Sequence, residues 1–248
     1  MPINFRHTGG HNRLPLYYLG LIGWLLLFTF TACDTTVQTD EAQVGEAIVK
    51  EETVTAPKEV YTIDTAKSEI TWIGAKVTGR HNGLFGIRSG ELYMRNGLLG
   101  GGEVIIDMAT LRSNDKSIDL ASNQKLTAHL RSADFFDTEQ YPTAVFELTG
   151  IAPFDSTEAK PHQGTSKDSE LRVNNPTHRI TGNLTIKGET RSVSFPARVT
   201  LEGNVLRTRA NFNIDRTKWG IVYRSDKSLG DQTIYSEVNI GLDIIATL

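Results

Sequence analysis

Val205-Leu206-Arg207-Thr208-Arg209-Ala210-Asn211-Phe212-Asn213-Ile214-Asp215 is the stretch that decides the fold class of this chain. Leu206, Thr208, Ala210, Phe212 and Ile214 share one face, and Arg207, Arg209, Asn211 and Asn213 share the other. Successive side chains of a strand point to opposite faces, so the pattern is that of a strand with one face buried. The same period of two runs through Val193, Phe195, Ala197, Val199 and Leu201, and again through Ile234, Ser236, Val238, Ile240, Leu242 and Ile244.

Working outward, the alternation predicts eight strands, near residues 68–78, 84–95, 98–108, 143–151, 178–187, 191–201, 204–215 and 232–246. Asn96-Gly97, Lys187-Gly188 and Gly203-Asn204 are turn signals between them. The glycines at 97, 100, 101 and 102 lack the Lys-Ser/Thr ending of a phosphate loop and predict a hairpin with a bulge. One helix is expected over residues 123–131, with Leu126, His129 and Leu130 on one face and Asn123 as its cap. The expected fold is all-β: an eight-stranded antiparallel, lipocalin-like barrel with one short helix. Residues 153–178, polar and poor in large apolar side chains, read as an inserted surface loop within a barrel domain over residues 58–248.

The N-terminus carries Arg6 and Arg13 and then an uncharged apolar run, Leu16 to Phe30. That run is short for a bilayer span, which takes about 20 residues, and suits the core of a signal peptide. Thr31, Ala32 and Cys33 follow, and Cys33 is the single cysteine. Small residues before a cysteine at this place resemble a bacterial lipobox, with Phe30 where leucine is usual. The expectation is a lipoprotein signal peptide over residues 1–32, lipid attached to the Cys33 thiol, and a location on the cell envelope. Residues 33–57 are acidic and Thr-rich and read as a flexible tether, with a short helix near residues 41–49 as an alternative. With Cys33 acylated, no disulfide is available within the chain.

The chain has 26 basic and 29 acidic side chains, and without residues 1–32, which hold two arginines and no acid, the net charge is −5. Nothing in that balance fits nucleic acid. The six histidines are scattered, and neither a Gly-x-Ser-x-Gly elbow nor His-Glu-x-x-His is present, so no metal and no catalytic residue is expected.

Three segments taken together resemble the YceI-like family of exported lipid-binding proteins: His129-Leu-Arg-Ser-Ala-Asp-Phe-Phe-Asp137 with Tyr141-Pro142, Ile180-Thr-Gly-Asn-Leu-Thr-Ile-Lys-Gly188, and Asp215-Arg-Thr-Lys-Trp-Gly220. The resemblance covers roughly Tyr61 to Ala246 and implies a hollow barrel holding a polyisoprenoid chain. Small and large residues alternate on the inward faces, which fits the taper of a solid core as well as a tunnel; the resemblance favours the tunnel. Its lining would then include Trp72, Phe146, Leu184, Phe195, Phe212 and Ile240. Phe135 and Phe136 would plug or line the barrel end, or serve as ordinary core. His129 matches the family's histidine and is a candidate contact for a quinone oxygen or a pyrophosphate at the mouth, with Arg131 close by; the plainer reading, a histidine bonded to backbone on the helix's apolar face, is favoured. The Asp215–Trp219 corner is read as an Arg216–Asp215 contact that fixes a turn.

The function expected is therefore a lipid-anchored protein that stores or carries an isoprenoid such as a quinone or polyprenyl phosphate, needing no other cofactor. A homodimer is left open. The alternatives are an envelope scaffold acting through its outer surface and, ranked lower, an enzyme on such a lipid. An integral outer-membrane barrel is disfavoured, because Arg207, Arg209, Asn211, Glu237 and Asp243 would face lipid.

Overall fold

The structure is a computed structural model that describes residues 1, 35–49, 59–158 and 173–248. The signal-peptide segment, Cys33 and the centre of the expected inserted loop lie outside the described residues.

The alternating segments form the barrel. Its strands are β4 (Glu69–Lys76), β5 (Gly79–Arg95), β6 (Leu98–Ser113), β7 (Thr143–Pro153), β8 (His178–Ile186), β9 (Glu189–Glu202), β10 (Val205–Asp215) and β11 (Ile234–Thr247). Each pairs antiparallel with the next, and β11 returns to β4, closing the circle. Among the described residues, closure pairs both sides of the long strands, so that little open edge is left. A further strand, β3 (Glu59–Ile63), continues the wall of β4 beyond a turn at residues 64–68, pairing with β5 and the last residues of β11. The Asp64 carboxylate accepts the Ala66 and Lys67 N–H groups and fixes that turn.

Asn96-Gly97 and Lys187-Gly188 both have positive φ throughout, 52° and 75°, then 50° and 78°, as tight hairpins require. The glycine cluster makes the expected bulge, with a register shift between Tyr93 and Met94 opposite Gly101 and Leu99.

The helix α1 runs Leu120–Arg131, three residues longer than expected at its start. Asp119, and not Asn123, is its cap, accepting the Ser122 N–H. Asn123 instead organises the preceding loop: its oxygen accepts from Ser113 Oγ and the Asp115 N–H, and its amide donates to the Asp115 carbonyl.

The clearest departure concerns the expected tether. Residues 35–49 neither hang free nor form a helix. They contain β1 (Asp40–Glu41), parallel to β10, and β2 (Gln43–Glu46), antiparallel to β9. β9 and β10 pair with each other only through residues 197–202 and 205–210. Where they part, this strap bridges the seam. Its polar composition hid the docking, because backbone pairing and asparagine side chains hold it. Asn213 Nδ2 donates to the Val37 carbonyl (2.8 Å) and to Glu41 Oε1 (3.0 Å), Thr39 Oγ1 donates to the Asn211 carbonyl, and Asn183 exchanges two hydrogen bonds with the backbone of Ile48. Asn211, Asn213 and Asn239, on the outward faces of β10 and β11, are buried and bonded to one another.

Candidate functional site

The inward rows do not meet in the middle. They enclose a cavity of about 260 Å³ along the barrel. Its wall follows β11 from Ile234 to Ile244, ten residue steps or roughly 30 Å along the strand. The wall is almost wholly apolar. Phe195 and Phe212 stack at 4.1 Å between ring centres, and Phe146 lies 6.0 Å from Phe195, making an aromatic ridge across the centre. Gly182 seats that ridge: a Cβ there would lie 2.3 Å from Phe146 Cζ. The small inward residues thus differ in use. Thr208 borders the cavity, Gly182 gives its space to Phe146, and Ala197 and Ala210 are buried in the core away from the cavity wall.

One end is closed. Tyr61, Ile63, Met94, Leu206 and Ala246 are buried there in one cluster and lie outside the cavity wall. The other end is the mouth, where the wall runs out to the partly exposed Lys76, His81, Ile234 and Tyr235. Here Ile234 pairs with Lys76 and Val238 with Gly74, so four steps on β11 oppose two on β4. Such a bulge breaks the ladder and locally loosens the wall.

The mouth is held by Arg216, which is 5 % exposed. Its Nε donates to the Tyr235 carbonyl, Nη1 to that of Ile221, and Nη2 to those of Tyr223 and Ile234, at 2.6–3.2 Å. Burial pushes the guanidinium down from its ordinary value, opposed by the Asp215 and Glu237 carboxylates. The expected Arg216–Asp215 contact is replaced by this clamp. Asp215 caps the next turn, accepting from Thr217 N–H and Oγ1. Trp219, 1 % exposed, lines the cavity and donates from Nε1 to the Leu184 carbonyl.

Of the residues expected to line a cavity, Trp72, Phe135, Phe136, Phe146, Leu184, Phe195, Phe212 and Ile240 all stand in its wall. Phe135 and Phe136 come from the turn after α1 and close over the mouth end, with Phe136 edge-on to Phe85 at 5.8 Å. His129 does not line the cavity. Its Nε2 lies 2.9 Å from Asp134 Oδ2, and its ring packs edge-on against Phe135 and Tyr223 at 5.1 and 5.0 Å. Its ring bonds a carboxylate instead of backbone, and it stands behind Phe135, against the mouth residue Tyr223. Arg131 is also engaged, donating to the Leu111 carbonyl.

Lys76 and His81 were not anticipated. Parity held the signal: Lys76 lies four residues from Trp72 on the same face of β4, and His81 four from Phe85 on β5. His81 Nδ1 bonds the buried Asp115 carboxylate at 2.7 Å, tying the β5 start to the loop before α1. Burial pushes the Asp115 carboxyl up, but hydrogen bonds from Ser117 and His81 outweigh it and leave the pKa below its ordinary value. Two polar atoms of wall residues, Trp72 Nε1 and Thr208 Oγ1, are buried with no hydrogen-bond partner among the described residues.

The YceI-like domain matches residues 61–246, three quarters of the chain. The chain belongs to the YceI-like family. UPF0312 proteins of Pseudomonas paraeruginosa and Azotobacter vinelandii are 31% and 33% identical over 98 residues. Those alignments span about 40% of the chain and of the relatives' own length. Among solved structures, BcnA of Burkholderia cenocepacia aligns with a TM-score of 0.54 at 21% identity, over 75% of this chain and 99% of BcnA. A polyisoprenoid binding domain from Saccharophagus degradans, implicated in plant cell wall breakdown, aligns with a TM-score of 0.49 at 12% identity, over 75% and 97%. The YceI-like barrel expected from sequence is therefore the fold of this chain.

Proposed function

We propose that this YceI-like protein is exported, anchored through a lipid on Cys33, and holds the hydrocarbon chain of an isoprenoid of the quinone or polyprenyl class inside its barrel. The observation that carries the reading is the long apolar cavity with one mouth. A wall of Phe, Leu, Ile and Trp side chains gains from any hydrocarbon that displaces water, about 0.8 kcal/mol per buried CH₂. Several isoprene units would therefore bind without any charged contact. The volume is near the lower edge of the roughly 300–1,000 Å³ common for ligand sites, which suits one slender chain.

Recognition by methyl pattern is weak, worth about 1–3 kcal/mol per group, so the chain class is selected and its length only loosely. The head group belongs at the mouth, beside Lys76, His81 and Tyr235. No reaction is part of the proposal: His129 and Asp134 form a pair away from the cavity wall, and Arg216 is a structural clamp. Native mass spectrometry of the purified protein, followed by organic extraction, tests the reading. An apolar molecule released at near-stoichiometric yield supports it; a protein that is ligand-free and takes up no added polyprenol sinks it.

A further inference from the structure

The strap determines where the N-terminal membrane attachment meets the barrel. Thr35 Oγ1 donates to the Lys76 carbonyl at 2.6 Å, and Lys76 is a mouth residue. From Thr35 the strap crosses the outside of β10 and β9 and reaches β8 at Asn183. Cys33 is two residues upstream of Thr35, a reach of at most about 7 Å. A lipid on Cys33 would therefore begin beside the mouth.

The rim of the mouth suits a bilayer. Val77, Val222 and Leu229 are 36, 58 and 43 % exposed. Val77 follows Lys76; Val222 sits between Ile221 and Tyr223, both clamped by Arg216; Leu229 lies in the loop closed by the Ile234 N–H to the Arg224 carbonyl. Lys76, Arg80, Arg224 and Lys227 belong to the same segments, with Asp226, Asp231 and, through the His129 ring that packs on Tyr223, Asp134 as the acids. These segments thus carry a slight excess of cations on a chain whose part beyond residue 32 is net acidic. Exposed aliphatic side chains beside cations suit an anionic membrane surface; the closed end also exposes Leu98, Leu201, Val205 and Leu248, so it is the start of the strap at Lys76 that selects the mouth.

We propose that the mouth end rests on an anionic bilayer, so that an apolar chain passes between bilayer and cavity without crossing water. This orientation rests on the carrier reading for its purpose, but not for its test. The full-length protein, matured in its bacterial host, is reconstituted in vesicles of phosphatidylethanolamine and phosphatidylglycerol. A fluorophore is placed on Val222→Cys or, at the opposite end, on Leu98→Cys, with the parent protein as labelling control. Brominated lipids should quench the first and spare the second. Equal quenching at both, or none at position 222, overturns the orientation.

A second variant keeps the proposal exposed to refutation if the label perturbs the rim. A twenty-residue Gly/Ser insert between Cys33 and Thr35, joined with Val77→Asp, Val222→Asp and Leu229→Asp, should leave the protein anchored and its melting temperature unchanged. Transfer of a fluorescent polyprenol from vesicles should slow about tenfold or more. Unchanged transfer also overturns it. If organic extraction finds no apolar molecule and none is taken up, the carrier reading fails while quenching still decides orientation. If ligand is present and position 222 is unquenched, orientation fails alone.

Discussion

The two ends of the barrel are sealed by different chemistry. At the closed end, side chains do the work: Tyr61, Ile63, Met94, Leu206 and Ala246 pack to exclusion of space. At the mouth, backbone carbonyls from two segments converge on one cation, Arg216. The difference teaches how a protein keeps a hole open. Interiors pack to crystal-like density, so a void survives only where something other than side-chain packing fixes the surrounding backbone. Arg216 supplies that support. It binds the 221–223 loop and the start of β11 without filling the space between them.

The most direct way to break this contrast is Arg216→Met. The methionine retains bulk but leaves four carbonyls without their donor. At the low end of about 1–3 kcal/mol for each orphaned acceptor, the loss is on the order of 4 kcal/mol. Hydrogen exchange should show the loosening at residues 220–238, with the closed end protected. Uniform loss of protection would mean that the clamp serves the whole barrel and that the contrast is false.

At the other end, Leu206→Ala removes a side chain only 1 % exposed. A cavity of that kind costs about 2–5 kcal/mol, here taken near 3. Chemical denaturation should report the loss, while the yield of extracted ligand per folded molecule stays constant. A fall in ligand yield matching the fall in stability would show that the closed end also shapes the cavity.

A smaller effect is expected from the strap. Asn213→Ala removes two hydrogen bonds to residues 37 and 41 and leaves Asn239 without one acceptor. About 1–2 kcal/mol is expected, with early proteolysis within residues 35–49. If cleavage there is unchanged, pairing of β1 and β2 alone holds the seam.

The barrel was legible because period-two alternation reports burial directly, and β10 shows it from Val205 to Ala210, beyond which the strap buries the outward Asn211 and Asn213 as well. The same parity placed Trp72, Phe146, Leu184, Phe195, Phe212 and Ile240 on the inner wall. The strap was not legible. Residues 35–49 carry few of the large apolar side chains that announce a core, Val37 being the one that is buried, and much of what binds them, the Asn211–Asn213–Asn239 cluster, reads in sequence as an ordinary solvent face. Asn123 was misjudged for a related reason: an asparagine near a helix start suits a cap or a loop organiser, and only the path of residues 113–119 separates them. His129 shows the limit of helical spacing. The period gives a face, not which neighbour that face meets, and Phe135 comes between His129 and the cavity.

The smallest expected effect sharpens the contrast by pH. Asp115 is 5 % exposed and bonded to His81 in the mouth wall. Its burial raises the carboxyl pKa, and the bonds from Ser117 and His81 more than reverse this, so the folded value lies below the unfolded one. Stability from such a group is complete above the unfolded value and drains away as pH falls through the folded one. The loss should therefore begin as pH drops below about 4, the ordinary aspartate value. Asp115→Asn should cost about 1 kcal/mol at neutral pH and flatten that acid slope in thermal melts. Hydrogen exchange on acidification should open the β5 start and the α1 N-terminus first, while the end of β5 near Leu92 and Met94 stays closed, because these two side chains are buried among apolar neighbours. Parallel melting curves for wild type and Asp115→Asn below pH 4 would show that the His81–Asp115 bond does not govern the acid response, and that the two ends respond to protons alike.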